Sequence, residues 1–430
     1  MRALWQTLVQ AARSLWSDIK TSTDAGLLAV PRFFGLLYGP IDTTLPINEA
    51  LDRSLRRRLP AFVGWRHSLG GISFFLFIVL VVTGVLLSVH YRPSVQEAYP
   101  SIQHIVSDIT FGWLVRDVHR WAATLLVVVI LAHMARVFVE AAYLPPRETN
   151  WLVGVFLLFL VMAFGSTGYL LPWDQWSYWT VSEALATLED VPIIGGFAAD
   201  VMRGDPIVSG ATLSRFFAAH VIVLPWVALA LLAFHFALVR RHGVAPPERP
   251  TPKQSGPGQP FYPNQLLRSF TVVVLTTAIL ITLAVLAPRP IGDVANPEIP
   301  PEQLRSTWVV VDVSRALTHY LGAWGLALFV LLGIGLAMVP LLHRTPERSL
   351  RGRPRAAGVG LLFIAVFLAG WAVGSRLETV PPAAADEAVD VTGAPADSAT
   401  SDTTADTTGA ARRSTPPATT DTTPGTGGKR

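Results

Sequence analysis

Seven apolar stretches dominate this chain, running roughly over 70–90, 114–140, 151–171, 213–239, 266–287, 316–342 and 356–375. Each is long enough to cross ~30 Å of hydrocarbon as a helix. Lipid offers no hydrogen-bond partners, so segments of this kind must close their backbone bonds internally, as helices do. Only 15% of the 430 residues are charged, far fewer than a soluble chain of this length carries. The expected fold is an all-α integral membrane protein with seven transmembrane helices.

The run GVAPPERPTPKQSGPGQPFYP at 243–263 is a Pro/Gly-rich linker between a four-helix unit, 55–242, and a three-helix unit, 264–376. Residues 172–211 carry Trp173, Trp176, Tyr178 and Trp179, which favour the membrane interface, so short interfacial helices are expected there. Within 1–54, Leu4, Trp5, Leu8, Val9, Ala12, Leu15, Trp16 and Ile19 form a helical apolar stripe. It suits a helix lying on the membrane, or a soluble interaction helix. Residues 1–30 lack the apolar core of a secretory signal. The tail, 377–430, is rich in Ala, Thr, Asp, Ser, Pro and Gly and is expected to be disordered.

Arginines gather before span one, between spans two and three, after span four and between spans six and seven, whereas the opposite loops hold more acids. The positive-inside rule then puts the N-terminus in the cytoplasm and the tail outside, as for a multi-pass protein of a bacterial-type cytoplasmic membrane. The net charge of +4 sits at span ends and argues against nucleic acid as a partner. With no cysteine, the chain has no disulfide, iron–sulfur cluster, thiolate zinc site or covalently attached haem of its own.

Four histidines lie inside the apolar spans: His119 and His133 in span two, His220 and His235 in span four, 14 and 15 residues apart. At ~100° per residue these steps return to within ~40–60° of one face, with the members ~21–23 Å apart along the helix. Both spans run from outside to inside, so His119 and His220 share the outer depth and His133 and His235 the inner. Imidazole in lipid is costly without a partner. Two bis-imidazole haem sites supply one, and bonds to backbone carbonyls are the structural alternative. Gly70 and Gly84 in span one, and Gly154 and Gly168 in span three, repeat the 14-residue step. Such glycines let a flat macrocycle approach a backbone, although small residues also serve helix packing. Arg116 and Arg136 flank the histidines and suit haem propionates, or snorkel to headgroups.

The runs F-G-W-L-V-R-D-V-H-R-W (Phe111 to Trp121) and G-Y-L-L-P-W-D-Q-W (Gly168 to Trp176), with the histidine pairs, resemble cytochrome b of the quinol-oxidising bc complexes. The 15-residue step and the break after span four resemble the chloroplast-type bf branch. P-N-Q-L-L-R (Pro263 to Arg268) and I-G-D-V-A-N-P (Ile291 to Pro297) resemble that branch's smaller subunit IV, here fused. The resemblance covers about 55–375. It implies a Q-cycle subunit with two non-covalent b-type haems and quinone as substrate. Its partners would be a Rieske-type iron–sulfur protein and a c-type cytochrome, in a homodimeric complex.

Two positions depart from that pattern. Ser68 stands where the bf branch has a cysteine holding an extra covalent haem. The outer-site Pro-Glu-Trp-Tyr motif falls, by ungapped counting, on Ser306, Thr307, Trp308 and Val309, so only the tryptophan remains. Glu302 and Asp312, and after them Asp174 and Glu183, are candidate substitutes for the missing acid. Near the inner pair, Arg240, His67 and His242 are candidate contacts to quinone. The alternative function is a dihaem membrane anchor that carries electrons between quinone and another redox subunit without bifurcation. A haem-free transporter lacks support, because no pair of interrupted helices stands at corresponding positions.

Overall fold

The computed structural model describes residues 55–247, 251–252, 255–301, 308–343 and 347–377, with Arg13 and Glu49. The whole N-terminal stripe, the tail beyond 377, Glu302, Ser306 and Thr307 lie outside the described residues. Six helices are long and apolar enough to cross a membrane: Trp65–His90, Gly112–Val139, Glu148–Tyr169, Gly210–His242, Phe261–Leu286 and Pro354–Gly374. The chain is thus a multi-pass membrane protein, and apolar side chains such as Val85, Trp226, Leu275 and Leu331 cover its outward faces.

In chain order, α1 (Leu69–His90) follows one 3₁₀ turn, and α2 (Ala98–Ser107) lies in the first connection between spans. Next come α3 (Gly112–Val139) and α4 (Glu148–Tyr169). The connection after α4 folds into α5 (Gln175–Glu189) and α6 (Gly195–Arg203). The fourth span is α7 (Gly210–Ala218), a π-helical turn at Ala219–Val223, and α8 (Leu224–His242). A short strand β1 (Arg58–Leu59) pairs antiparallel with β2 (Gln259–Pro260), so the Pro/Gly-rich segment returns to the foot of α1. The fifth span, α9 (Leu266–Leu286), leaves from there. Helix α1 packs on α3 and α4 on α8, while α9 covers the α1–α3 face.

The sixth apolar stretch, expected as one helix over 316–342, is broken. It consists of α10 (Val309–Leu321), α11 (Ala323–Ala337) and α12 (Val339–Leu342). Gly322 sits at the joint with φ +56°, a left-handed value that glycine adopts without Cβ strain. Gly325 follows, and a Cβ there would lie 2.4 Å from the Leu317 carbonyl oxygen, so the returning helix rides directly on the one before it. Thr318, His319 and Tyr320 lower the hydropathy just ahead of the joint, but the apolar residues on either side make the stretch read as one span by length alone. The last helix is α13 (Pro354–Gly374).

Two seams bind the first four spans to the last three. On the outer side, the P-W-D-Q-W run meets I-G-D-V-A-N-P backbone to backbone. Asp174 bridges Val294, Gln175 N–H donates to Asp293 O at 2.8 Å, and Ala295 N–H to Trp173 O at 3.1 Å. Trp179 Nε1 adds a bond to Asn296 O at 3.1 Å. On the opposite side, Arg353 is buried over the Phe138 and Tyr143 rings. Its Nη1 donates to the Tyr143 hydroxyl at 2.6 Å and its Nη2 to Val139 O at 2.8 Å. The phenol's own proton faces His343 Nδ1, 3.1 Å away. Phe138 fills the space over Gly360 of α13, where a Cβ would approach its ring to 2.4 Å.

Replacing Arg353 by Leu should strand the Val139 carbonyl and the Tyr143 oxygen at a cost of roughly 1–3 kcal/mol per unsatisfied group. A lower unfolding temperature in detergent is expected, with exposed Arg351→Ala as the unchanged control.

Candidate functional site

Helices α1 and α4 present glycines towards the four histidines at the expected depths. An ideal Cβ on Gly84 would come 3.3 Å from His119 Cε1, and one on Gly168 would come 2.5 Å from His220 Cε1. At the other depth the matching distances are 3.2 Å from Gly70 to His133 and 3.9 Å from Gly154 to His235. Each ring thus rests on backbone that a side chain would cover.

The fourth span solves a register problem. A regular helix turns ~100° per residue, so 15 residues and 14 residues do not end on the same face. The π turn Ala219–Val223 contains His220 and absorbs the extra residue. Pro225 follows it, and having no N–H it cannot donate to the carbonyl of Val221 one turn earlier. The bulge and the proline together aim His220 at Gly168.

His119 and His220 face each other with ring centroids 6.4 Å apart and planes inclined at 63°. Two metal–nitrogen bonds of about 2.0–2.1 Å in line, with the reach of both rings, span roughly 6 Å, so the outer pair fits one axially ligated metal. His220 Nδ1 lies 2.9 Å from Phe164 O and 3.2 Å from Thr167 Oγ1, and His119 Nδ1 lies 2.8 Å from Thr83 Oγ1. These acceptors draw the proton to Nδ1 and leave each Nε2 lone pair free as a ligand. A cavity of about 310 Å³ adjoins the pair, lined by Gly84, His119, Gly165, Gly168, His220 and Trp308. Among the described residues no group of three or more metal-binding side chains occurs, whereas axial haem ligation needs only two.

Arg116, with Arg120 and Arg289, brings positive charge to the wall of the cavity. Arg116 is buried and donates through Nη1 to Arg289 O and to Asp117 Oδ1, at 2.6 and 3.2 Å, while Nη2 has no partner. At the opposite end of α3, Arg136 lies 2.9 Å from Glu140, and its buried Nη2 is likewise unmatched. Orphaned guanidinium nitrogens beside both imidazole pairs suit anionic groups of a cofactor. Arg240 is exposed near the end of α8. His67 closes the 3₁₀ turn below α1, its Nδ1 accepting from Gly64 N–H at 3.0 Å.

Trp308, just before α10, reaches the outer cavity, its indole lying over Gly165 so closely that a Cβ there would stand 1.9 Å away. The acids are placed differently from one another. Asp174 is the N-cap of α5, accepting from Ser177 N–H at 2.8 Å. Asp312 is buried where Gly374 of α13 closes on its backbone carbonyl. Glu183 is held on α5 with Oε2 3.9 Å from Arg315 Nε and without a hydrogen bond. Burial, opposed by Arg315 and His319, pushes its carboxyl above the usual value of 4.5.

Sequence reasoning passed over Thr83, Thr167 and Gly165. The first two had a visible signal, since a threonine immediately precedes each outer glycine and neither inner one. Gly165 breaks the 14-residue pattern, and its role depends on a tryptophan 143 residues away.

The fold and these paired imidazoles define a helical membrane protein suited to carrying haem between apolar helices. Residues 56–243 match the profile of the family Cytochrome b/b6/petB. Cytochrome b6 of Mastigocladus laminosus is 36% identical over 211 residues, covering 49% of this chain and 98% of that protein. Cytochrome b6 of Emiliania huxleyi is 39% identical over 211 residues, with the same coverage. A chain of a solved structure titled "Hyperthermophilic respiratory Complex III" superposes with a TM-score of 0.66 at 25% identity, covering 79% of this chain and 98% of that one. The chain belongs to the cytochrome b/b6 family, membrane electron-transfer proteins that bind haem, typically two of b type.

The Cβ distances rank the glycines. Gly168→Ala should displace His220 and lower bound haem from two towards one per chain, whereas Gly154→Ala should leave two, as read by haem quantitation on purified protein.

Proposed function

We propose that the chain is the dihaem cytochrome b subunit of a bc-type quinol oxidoreductase. Quinol is oxidised near the outer face, electrons pass from the His119/His220 site to the His133/His235 site, and quinone is reduced near the inner face. Protons leave outside and enter inside. The observation that carries this reading is the stacking of two imidazole pairs at two depths, each ring against its own glycine. Haem held non-covalently at each pair supplies one-electron acceptance and release. The chain's part is to ligate through Nε2, to neutralise propionates with Arg116 and Arg136, and to keep the site dry. A Rieske-type iron–sulfur protein and a c-type cytochrome take the other electron, in a complex with two copies of this chain.

The outer site needs a base where Thr307 cannot act. Asp174 is spent on a helix cap and Asp312 is enclosed between α10 and α13, which leaves Glu183 as the remaining described acid of the four candidates. Its free Oε2 is the acceptor of a quinol hydroxyl proton, as the electron released with that proton leaves for the iron–sulfur partner. Arg315 steadies the carboxylate before transfer. A second reading, a dihaem anchor without bifurcation, is favoured by the degenerate Ser306-Thr307-Trp308-Val309 run.

A base works deprotonated, so quinol oxidation should fall as pH drops through the raised Glu183 value. Glu183→Gln should remove that limb and slow quinol-dependent reduction by about 10²-fold or more, with Thr307→Glu restoring rate. Unchanged oxidation in Glu183→Gln, Glu302→Ala and Asp312→Ala alike would favour the anchor.

A further inference from the structure

The outer and inner histidine pairs differ in how their Nδ1 atoms are held. Thr83 precedes Gly84 in α1 and Thr167 precedes Gly168 in α4, and the two behave alike. Thr83 Oγ1 donates its proton back to Val79 O at 2.7 Å, and Thr167 Oγ1 to Ala163 O at 2.8 Å. Back-bonding of this kind uses the hydroxyl proton within the helix and presents the oxygen lone pairs outward. Those lone pairs face His119 Nδ1 at 2.8 Å and His220 Nδ1 at 3.2 Å. Each hydroxyl can then only accept, which makes each imidazole the donor, and His220 shares its Nδ1 proton between Thr167 and the Phe164 carbonyl 2.9 Å away.

The inner glycines follow Leu69 and Val153, which have no acceptor to offer. His235 Nδ1 comes near the Asn150 backbone but is buried without a hydrogen bond of ordinary geometry. The repeat that builds the two sites is therefore conserved in glycine and histidine along this chain but not in the residue beside the glycine.

We infer that Thr83 and Thr167 are positioning residues that hold the outer imidazoles as Nδ1–H donors and thereby lower the outer site's reduction potential. Donation from Nδ1 raises the basicity of Nε2, and a more basic axial ligand stabilises the ferric state. A lower potential at the outer pair makes transfer to the inner pair, the proposed electron path, more favourable. The inference rests on the reading of the four histidines as iron ligands.

The test is a redox titration of the full complex in its membrane, following b-type absorption, with the ferric low-spin resonance signal as a second readout. Thr83→Val and Thr167→Val keep shape and remove the hydroxyl oxygen, leaving backbone carbonyls such as Phe164 O as the remaining acceptors, and Thr→Ser at each position keeps the hydroxyl. The double Val variant is expected to shift the outer haem's reduced-to-oxidised ratio upward by about tenfold at fixed ambient potential, ~59 mV for a one-electron couple. The inner haem should stay unmoved, and the Ser variants should return both readouts to the parent's. Equal shifts at both haems, or none at either, would overturn the inference while leaving two haems per chain intact. Absence of two b-type signals from the unsubstituted complex would instead overturn the ligand reading on which it rests. Should a Val variant lose haem, Thr83→Ala and Thr167→Ala, paired with Ser, make the same comparison.

Discussion

An imidazole buried among apolar helices must find partners for both ring nitrogens, and the local irregularities of the first four spans answer that demand. One nitrogen needs an acceptor, which the outer pair finds in Thr83, Thr167 and the Phe164 carbonyl. The other is left for a ligand, and the facing glycines let the Cε1 edge of each ring lie directly on helix backbone. Leaving either nitrogen unsatisfied in low dielectric costs on the order of a few kcal/mol. The π turn at Ala219–Val223 is a local sacrifice of regular helix that keeps the second pair in register with the first.

The seams explain how sites built by the first four spans come to involve the last three. The outer seam delivers the α9 exit onto the start of α3. Arg289 lies 4.0 Å above the Trp121 ring and its carbonyl receives Arg116 Nη1. Trp121 Nε1 reciprocates by donating to Ala287 O at 2.9 Å. The cation that faces the outer cavity is thus held by backbone of the fifth span, and the tryptophan roofing the cavity comes from the approach to the sixth. A four-helix unit on its own would have the ligands without their surroundings.

What was legible in the sequence was what depends on period. Helices α1, α3, α4, α9 and α13 begin and end within a few residues of the apolar stretches, because hydrocarbon thickness fixes their length. Gly70 against His133 and Gly84 against His119 followed from equal steps in neighbouring helices. The break at Gly322 was not legible, since a glycine in an apolar run is equally compatible with a continuous membrane helix. The roles of Asp174 and Trp308 depend on contacts made across more than a hundred residues, which no local pattern encodes. The 15-residue step of the fourth span was visible as a number, but its cause, a bulge ahead of Pro225, is a matter of backbone geometry.

The acids at the outer face show how position divides chemically identical groups. Asp174 accepts from the Ser177 and Gly292 N–H groups, so its carboxylate is engaged in holding the start of α5 and the loop after α9 in place. Glu183 is two turns further along the same helix, with an unbonded oxygen and a guanidinium too far away for a tight pair. Burial therefore works against its charge, and the cost of keeping it ionised is what makes taking up a proton favourable. Arg315 limits that cost without abolishing it, because a pair at 3.9 Å retains attraction but not the hydrogen bond that would lock the carboxylate. A carboxyl held in this intermediate state can both accept and release a proton, whereas the oxygens of the capped Asp174 are already engaged by backbone N–H groups.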